Sequence, residues 1–152
     1  MQHMNLADVL AREDILVDPR ASGKKRVLAE LSMHAGRRLG IEPDVLLEAL
    51  MHREKLGSTG MGGGIAIPHT RMSEIASPFG VLARLRHSTE FEAVDEAPVD
   101  IVFLLLLPKQ DSTPQLNALA AVAKALRDPK TLDAIRRAKG RDVIYEAFVS
   151  RA

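Results

Sequence analysis

Asp100-Ile101-Val102-Phe103-Leu104-Leu105-Leu106-Leu107-Pro108 is the stretch on which the fold turns. Its apolar run from Ile101 to Leu107 has no polar position, so both faces of an extended chain here must be covered. It is far shorter than the roughly 20 residues that a bilayer-spanning helix requires. A central strand with cover on both sides satisfies the pattern, and Pro108, which cannot donate to a ladder, closes it. Whatever lies on either side in sequence must supply that cover.

Helical patterns are found on both sides. Ahead of the strand, Ser22 is the expected cap of a helix running to about Leu39, where Val27, Leu28, Leu31, Ala35 and Leu39 recur at helical spacing and Gly40 stops it. Pro43 opens a second helix to about Arg53, with Val45, Leu46, Ala49 and Leu50 on its apolar side. Behind the strand, Thr113 and Pro114 start a helix whose stripe is Leu116, Leu119, Ala120, Ala123 and Leu126. Asp128-Pro129 breaks it. A short helix with Leu132 and Ile135 inward follows, and Val143, Ile144, Ala147 and Phe148 mark a last one. Further strands are expected at Ile15–Val17, Ile65–Ile67 and Val81–Leu85, with a short extended piece at Phe91–Val94. Asn5 and the residues after it form a turn through Leu10. Helices before, between and after buried strands define a layered α/β domain. Residues 1–4 are expected to be a flexible N-terminus or an extraneous remnant ahead of a start at Met4, and 5–152 a single domain.

Composition narrows the chemistry. The chain has 152 residues, 46% apolar and 27% charged, with 21 basic and 20 acidic side chains. Such a balance describes a globular protein rather than a disordered one, and it supplies no broad nucleic-acid footprint. Cysteine is absent, which excludes disulfides, thiol catalysis and cysteine-rich zinc sites. With no Trp, one Tyr and four Phe, a base-stacking platform has almost no material. The N-terminus has no signal-like apolar core, so a cytoplasmic protein without membrane insertion is expected.

One segment concentrates reactive groups: Arg53-Glu54-Lys55-Leu56-Gly57-Ser58-Thr59-Gly60-Met61-Gly62-Gly63-Gly64-Ile65-Ala66-Ile67-Pro68-His69-Thr70-Arg71. It holds five of the ten glycines, so it cannot be the interior of a regular helix. Arginine clamps phosphate with two nitrogens, and peptide amides cradle the remaining oxygens. A neutral imidazole can attack phosphorus. From composition alone, a structural glycine turn beside a surface histidine accounts for the segment equally well. No Gly-Lys-Ser/Thr ending makes it a Walker A loop, and the dinucleotide fingerprint has no clear strand-to-helix setting. His52, His69 and His87 lack metal-site spacing. His34 belongs to the first long helix in a surface or packing role, and Lys24-Lys25-Arg26 read as a solvated first turn.

Arg53 through Gly60 followed by Gly64-Ile65-Ala66-Ile67-Pro68-His69 resembles the active loop of phosphotransferase-system enzyme IIA domains of the fructose/mannitol class, most closely their nitrogen-regulatory branch. Phe91–Asp95, Pro98–Phe103 and Leu116–Leu126 fit the same family, so the resemblance spans nearly the whole chain. It implies a three-layer α/β/α sandwich with a central mixed sheet. It also implies a phosphohistidine at His69, favoured on Nε2, with Arg53 orienting phosphate and compensating its charge. The implied donor is an HPr-like phosphocarrier; the chemistry requires no cofactor, nucleotide or metal. In the nitrogen branch the implied partners are regulatory targets such as potassium transport or sensor systems. In the sugar branch the partner is a IIB domain of a permease.

Two positions depart from the family pattern. Gln115 stands where many relatives carry a second histidine, and its amide can donate to phosphate but cannot accept a phosphoryl group. Thr70 follows His69 where a small residue is usual; its hydroxyl can contact phosphate while its branched carbon narrows access. Ser58 and Thr59 are candidate phosphate donors or local turn caps. Arg71 either adds positive potential or is solvated. Asp95 reads as a turn capper, and Glu54 and Lys55 as neighbouring ion-pair partners. Three functions remain in competition: a regulatory phosphocarrier, a sugar-specific IIA that feeds a IIB domain, and an interaction domain without phosphotransfer.

Overall fold

In the computed structural model, residues 5–110 and 113–150 are described, with side chains over the same ranges except 113–117. The fold is built around β6 (Val99–Pro108), the predicted central strand. On one side it pairs antiparallel with β5 (Phe79–Thr89), which pairs in turn with the parallel strand β1 (Ile15–Val17). On the other side it is met by two short parallel strands in succession, β3 (Ile65–Ala66) and β4 (His69–Met72). β2 (Gly60–Gly62) closes that edge, antiparallel to β3. The sheet is therefore mixed.

Side-chain alternation along β6 divides the core. Ile101, Phe103, Leu105 and Leu107 pack with Ala118, Val122, Ala125 and Leu126 of α3 (Thr113–Ala125) and the turn after it, Ile135 of α4 (Pro129–Arg137), and Ile144 and Phe148 of α5 (Arg141–Val149). Val102, Leu104 and Leu106 pack with Val27, Leu28 and Leu31 of α1 (Lys24–Leu39) and Leu46 and Leu50 of α2 (Pro43–Lys55). Thus one uninterrupted apolar strand serves two cores, which gives the three-layer α/β/α sandwich. Phe103 and Phe148 stack at 5.3 Å between centroids in the first core.

Several local expectations are corrected. The cap of α1 is Gly23 (φ 94°), not Ser22, and no side chain caps the helix. Phe91–Val94 is not a strand: Phe91 is fully buried and Val94 86% exposed, on a loop with Glu92 in the left-handed region. Val45 and Val143 lie on the solvent sides of α2 and α5, because Leu46, Leu50, Ile144 and Phe148 already fill the faces turned to the sheet. In α3 the buried stripe runs through Ala118, Val122 and Ala125, while Ala120 is exposed; Leu116 lies outside the described side chains. β2 and β4 were not anticipated, since three- and four-residue strands with glycine or charge carry no periodic signal.

Candidate active site

β3 and β4 form one strand interrupted at Ile67-Pro68. Both pair with β6, but Pro68 offers no N–H, and its carbonyl accepts from Leu105 N at 2.9 Å. Ile67 N–H turns the other way and donates to the Thr59 carbonyl at 3.1 Å. The interruption presents His69, half-buried, to a cleft of about 610 Å³. Ser58, Thr59, Gly60, Met61 and Ile67 line it together with Leu119, Ala120 and Ala123 of α3 and the basic groups of Arg53, Lys124 and Arg127.

The imidazole is oriented by the main chain. Its Nδ1 lies 2.7 Å from the Ile67 carbonyl, which can only accept, so Nδ1 carries the proton and Nε2 keeps its lone pair. Burial pushes the imidazole below its ordinary pKa of 6.5, and the charges of Arg53 and Arg71 push it further; the Ile67 carbonyl and Glu54 pull in the opposite sense. Burial and the arginine charges together favour the neutral ring, with Nε2 as the unprotonated nitrogen. Arg53, from the last turn of α2, donates to the Gly57 carbonyl at 2.8 Å, which holds the start of the glycine segment at the helix end.

The glycine turn is braced from two sides. Gly62, Gly63 and Gly64 all have positive φ, a conformation open to glycine at little cost. Asp95 accepts from Gly63 N at 3.0 Å and from Ala97 N at 3.1 Å, which holds its carboxyl below the usual carboxylate range. The expected turn capper is therefore in place. Arg136 of α4 donates to the Gly63 carbonyl at 2.8 Å while it grips both oxygens of Asp100.

Residues 8–150 match the family model for the EIIA 2 component of the phosphoenolpyruvate-dependent sugar phosphotransferase system. The chain belongs to this family. Among curated relatives, the nitrogen regulatory protein of Bradyrhizobium diazoefficiens is 39% identical over 95% of both chains. Among solved structures, nitrogen regulatory protein IIA-Ntr from Neisseria meningitidis superposes with a TM-score of 0.89 at 28% identity, over 94% of this chain and 98% of that one. Mannitol enzyme IIA, in its complex with phosphorylated mannitol enzyme IIB from Escherichia coli, has a TM-score of 0.77 at 18% identity, over 93% of this chain and 97% of that one. That likeness is one of fold. The chain is a IIA of the phosphocarrier and regulatory kind, the resemblance that its loop carried.

Within this IIA domain the expected site residues separate. His69, Arg53, Ser58 and Thr59 line one cleft. The two hydroxyls are already engaged, however: Ser58 donates to the Phe91 carbonyl and accepts from Gly60 N, and Thr59 donates to the Glu54 carboxylate. Each hydroxyl has one proton, so neither is a free phosphate donor in this arrangement. Thr70 is not among the residues lining this cleft. It pairs with Leu106, whose side chain enters the α1/α2 core, so alternation turns Thr70 away from the cleft that His69 faces. Gln115 lies in the first turn of α3, and its side chain is outside the described residues.

Four contributors were missed by sequence reasoning. Lys124 and Arg127 reach the cleft from the end of α3, where a basic residue after an apolar stripe looks like an ordinary solvated terminus. Glu54 is buried and pairs with Lys24, which is itself only 16% exposed, so the solvated first turn expected of Lys24 is wrong. The REK spacing left Glu54 on no obvious face; only the packing of α1 against α2 identifies it. Among the described residues no group of three His, Asp or Glu is arranged to hold a metal ion, and no helix is long and apolar enough to cross a membrane.

Proposed function

We propose that residues 5–152 form one EIIA type-2 domain acting as a cytoplasmic phosphocarrier, which takes a phosphoryl group onto Nε2 of His69 and controls target proteins through that modification. The observation that carries this reading is the fixed tautomer, with Nδ1–H on the Ile67 carbonyl and Nε2 left at a basic cleft.

The donor is a phosphohistidine on an HPr-like protein. The Nε2 lone pair attacks phosphorus in line, a new N–P bond forms, and the carrier's N–P bond breaks with its electron pair returning to the carrier ring. His69 keeps its Nδ1 proton throughout. As the ring acquires positive character, the Ile67 carbonyl stabilises it through that hydrogen bond. Arg53, aided by Lys124 and Arg127, offsets charge on the equatorial oxygens. Proton transfer is not needed, which suits a histidine held neutral.

Phosphorylation then places roughly −1.5 to −2 charge, by analogy with hydroxyl esters, where the free ring had none. A partner that fits the unmodified cleft meets repulsion or new acceptors after transfer. The similarity to nitrogen regulatory proteins supports control of targets, with potassium transport and sensor proteins as the class to test.

Incubation with phosphoenolpyruvate, enzyme I and an HPr-like carrier tests the proposal. One acid-labile phosphate on the wild-type chain, absent from His69→Ala, is expected. A chain that stays unlabelled by a demonstrably active carrier is an interaction domain instead. Rapid discharge to a fructose- or mannitol-type IIB domain identifies a sugar-transport role.

A further inference from the structure

A line of contacts runs beneath the cleft, outside the transfer step itself. Nζ of Lys24, the first residue of α1, lies 2.5 Å from Oε1 of Glu54, with side chains 16% and 4% exposed. The same ammonium stands 5.4 Å over the Phe91 ring. Glu54 accepts from Thr59 N–H at 3.3 Å and also from the Thr59 hydroxyl. The Thr59 carbonyl accepts from Ile67 N–H at 3.1 Å, and the Ile67 carbonyl accepts from Nδ1–H of His69 at 2.7 Å. An ion pair between two helices is thereby joined to the reactive imidazole through two stretches of main chain.

Helix stability does not explain the pair. Glu54 lies in the last turn of α2, where the macrodipole disfavours a carboxylate, and Lys24 opens α1, where it disfavours a cation. Both charges are also withdrawn from water, and a buried ion pair generally does no better for stability than apolar residues of the same volume. What the pair does accomplish is geometric. Glu54 bonds both donors of Thr59, and Thr59 is what the Ile67 amide rests on. Rotation of the Thr59 or Ile67 peptide would take the carbonyl away from Nδ1 and free the ring to turn or change tautomer.

We propose that Glu54, held in place by Lys24, is a positioning residue for His69, fixing through Thr59 and Ile67 the ring orientation that leaves Nε2 unprotonated and facing the cleft. This rests on His69 as the phosphoryl acceptor. The role is geometric and not electrostatic: the charge of Glu54 opposes Arg53 and Arg71 at the imidazole and by itself favours the protonated ring.

The test compares Glu54→Gln, Thr59→Val and Thr59→Ser with wild type. Long-range proton–nitrogen NMR reads the two ring nitrogens of His69 in the carrier-free protein, and phosphorylation kinetics are followed separately. Wild type and Thr59→Ser are expected to show Nε2 as the unprotonated nitrogen. In Glu54→Gln and Thr59→Val the two nitrogen shifts should converge as tautomers mix. The maximal labelling rate should fall roughly 10- to 100-fold with the KM for carrier within about twofold, since misplacement affects the step and not docking. If Glu54→Gln fails to fold, the near-isosteric Thr59→Val carries the comparison. Folded variants whose ring nitrogens match wild type overturn the proposal, even if they label slowly. Should wild type itself take no phosphate, the phosphocarrier reading fails, while the nitrogen shifts still decide whether Glu54 positions the ring.

Discussion

The Ile67 carbonyl and Nδ1 of His69 stand 2.7 Å apart across Pro68, so the chain uses its own backbone two residues upstream to set the tautomer of this imidazole. Proline makes this arrangement easy to build. It keeps the preceding residue extended and has no amide to compete for the carbonyl. A carboxylate partner in place of the carbonyl would raise the imidazole pKa more strongly and protonate Nε2 nearer neutrality. A neutral acceptor orients the ring and leaves the lone pair free.

The pH dependence follows from the lowered pKa of His69. An NMR titration should give a midpoint below 6.5, and the labelling rate should climb through that midpoint and level off above it. For folding the sign is set by proton uptake: between the lowered folded value and about 6.5 the unfolded chain binds more protons. The contribution of His69 to stability is therefore present above pH 6.5 and is lost as pH falls through the folded midpoint. A midpoint at or above 6.5 contradicts the described environment.

Arg53 lines the cleft and also holds the Gly57 carbonyl. Arg53→Ala should slow phosphorylation by on the order of 100-fold, the usual cost of losing one donor to developing charge. Its structural bond is exposed, so urea denaturation should register a loss of about 1 kcal/mol. An unchanged labelling rate would remove Arg53 from the transfer step.

The turn at Gly64 has no room for a side chain. Its φ is +84°, and a Cβ there would sit 2.6 Å from Arg136 Nη2 and 2.9 Å from Asp100 Oδ1. Gly64→Ala should destabilise the fold by roughly 1–3 kcal/mol in urea denaturation, through backbone strain and a displaced Arg136–Asp100 pair. Wild-type stability would mean that the brace from α4 is dispensable.

Phe103 is fully buried at the centre of β6 and stacked on Phe148. Phe103→Ala should cost about 3–5 kcal/mol, near the limit that a domain of ordinary stability tolerates. Urea unfolding followed by circular dichroism would register this as a shifted midpoint. A loss below about 1 kcal/mol would mean that this face of the sheet repacks freely.

Much of this architecture was legible because apolar patterns speak for buried faces. Asp100–Leu107 announced its two-sided burial, and Pro43, Gly40 and Asp128-Pro129 punctuated the helices where they fall. The loop around His69 was legible through its residue types. Contacts that exist only after elements pack were not. Thr70 looked like a neighbour of the site until strand pairing turned it to the opposite face, and Glu54 read as a neighbouring ion-pair partner with Lys55 until α1 brought Lys24 over it. Lys124 and Arg127 gave no signal either, because α3 had first to be laid across the cleft.

The account rests on which atom of His69 accepts phosphate. Phosphorylation of the nitrogen-15-labelled chain by enzyme I, an HPr-like carrier and phosphoenolpyruvate, read by phosphorus–nitrogen coupling, assigns the bond to one ring nitrogen. A single phosphoryl group on Nε2, with Nδ1 still protonated, is the predicted result. Phosphate on Nδ1, or on any residue other than His69, would contradict it.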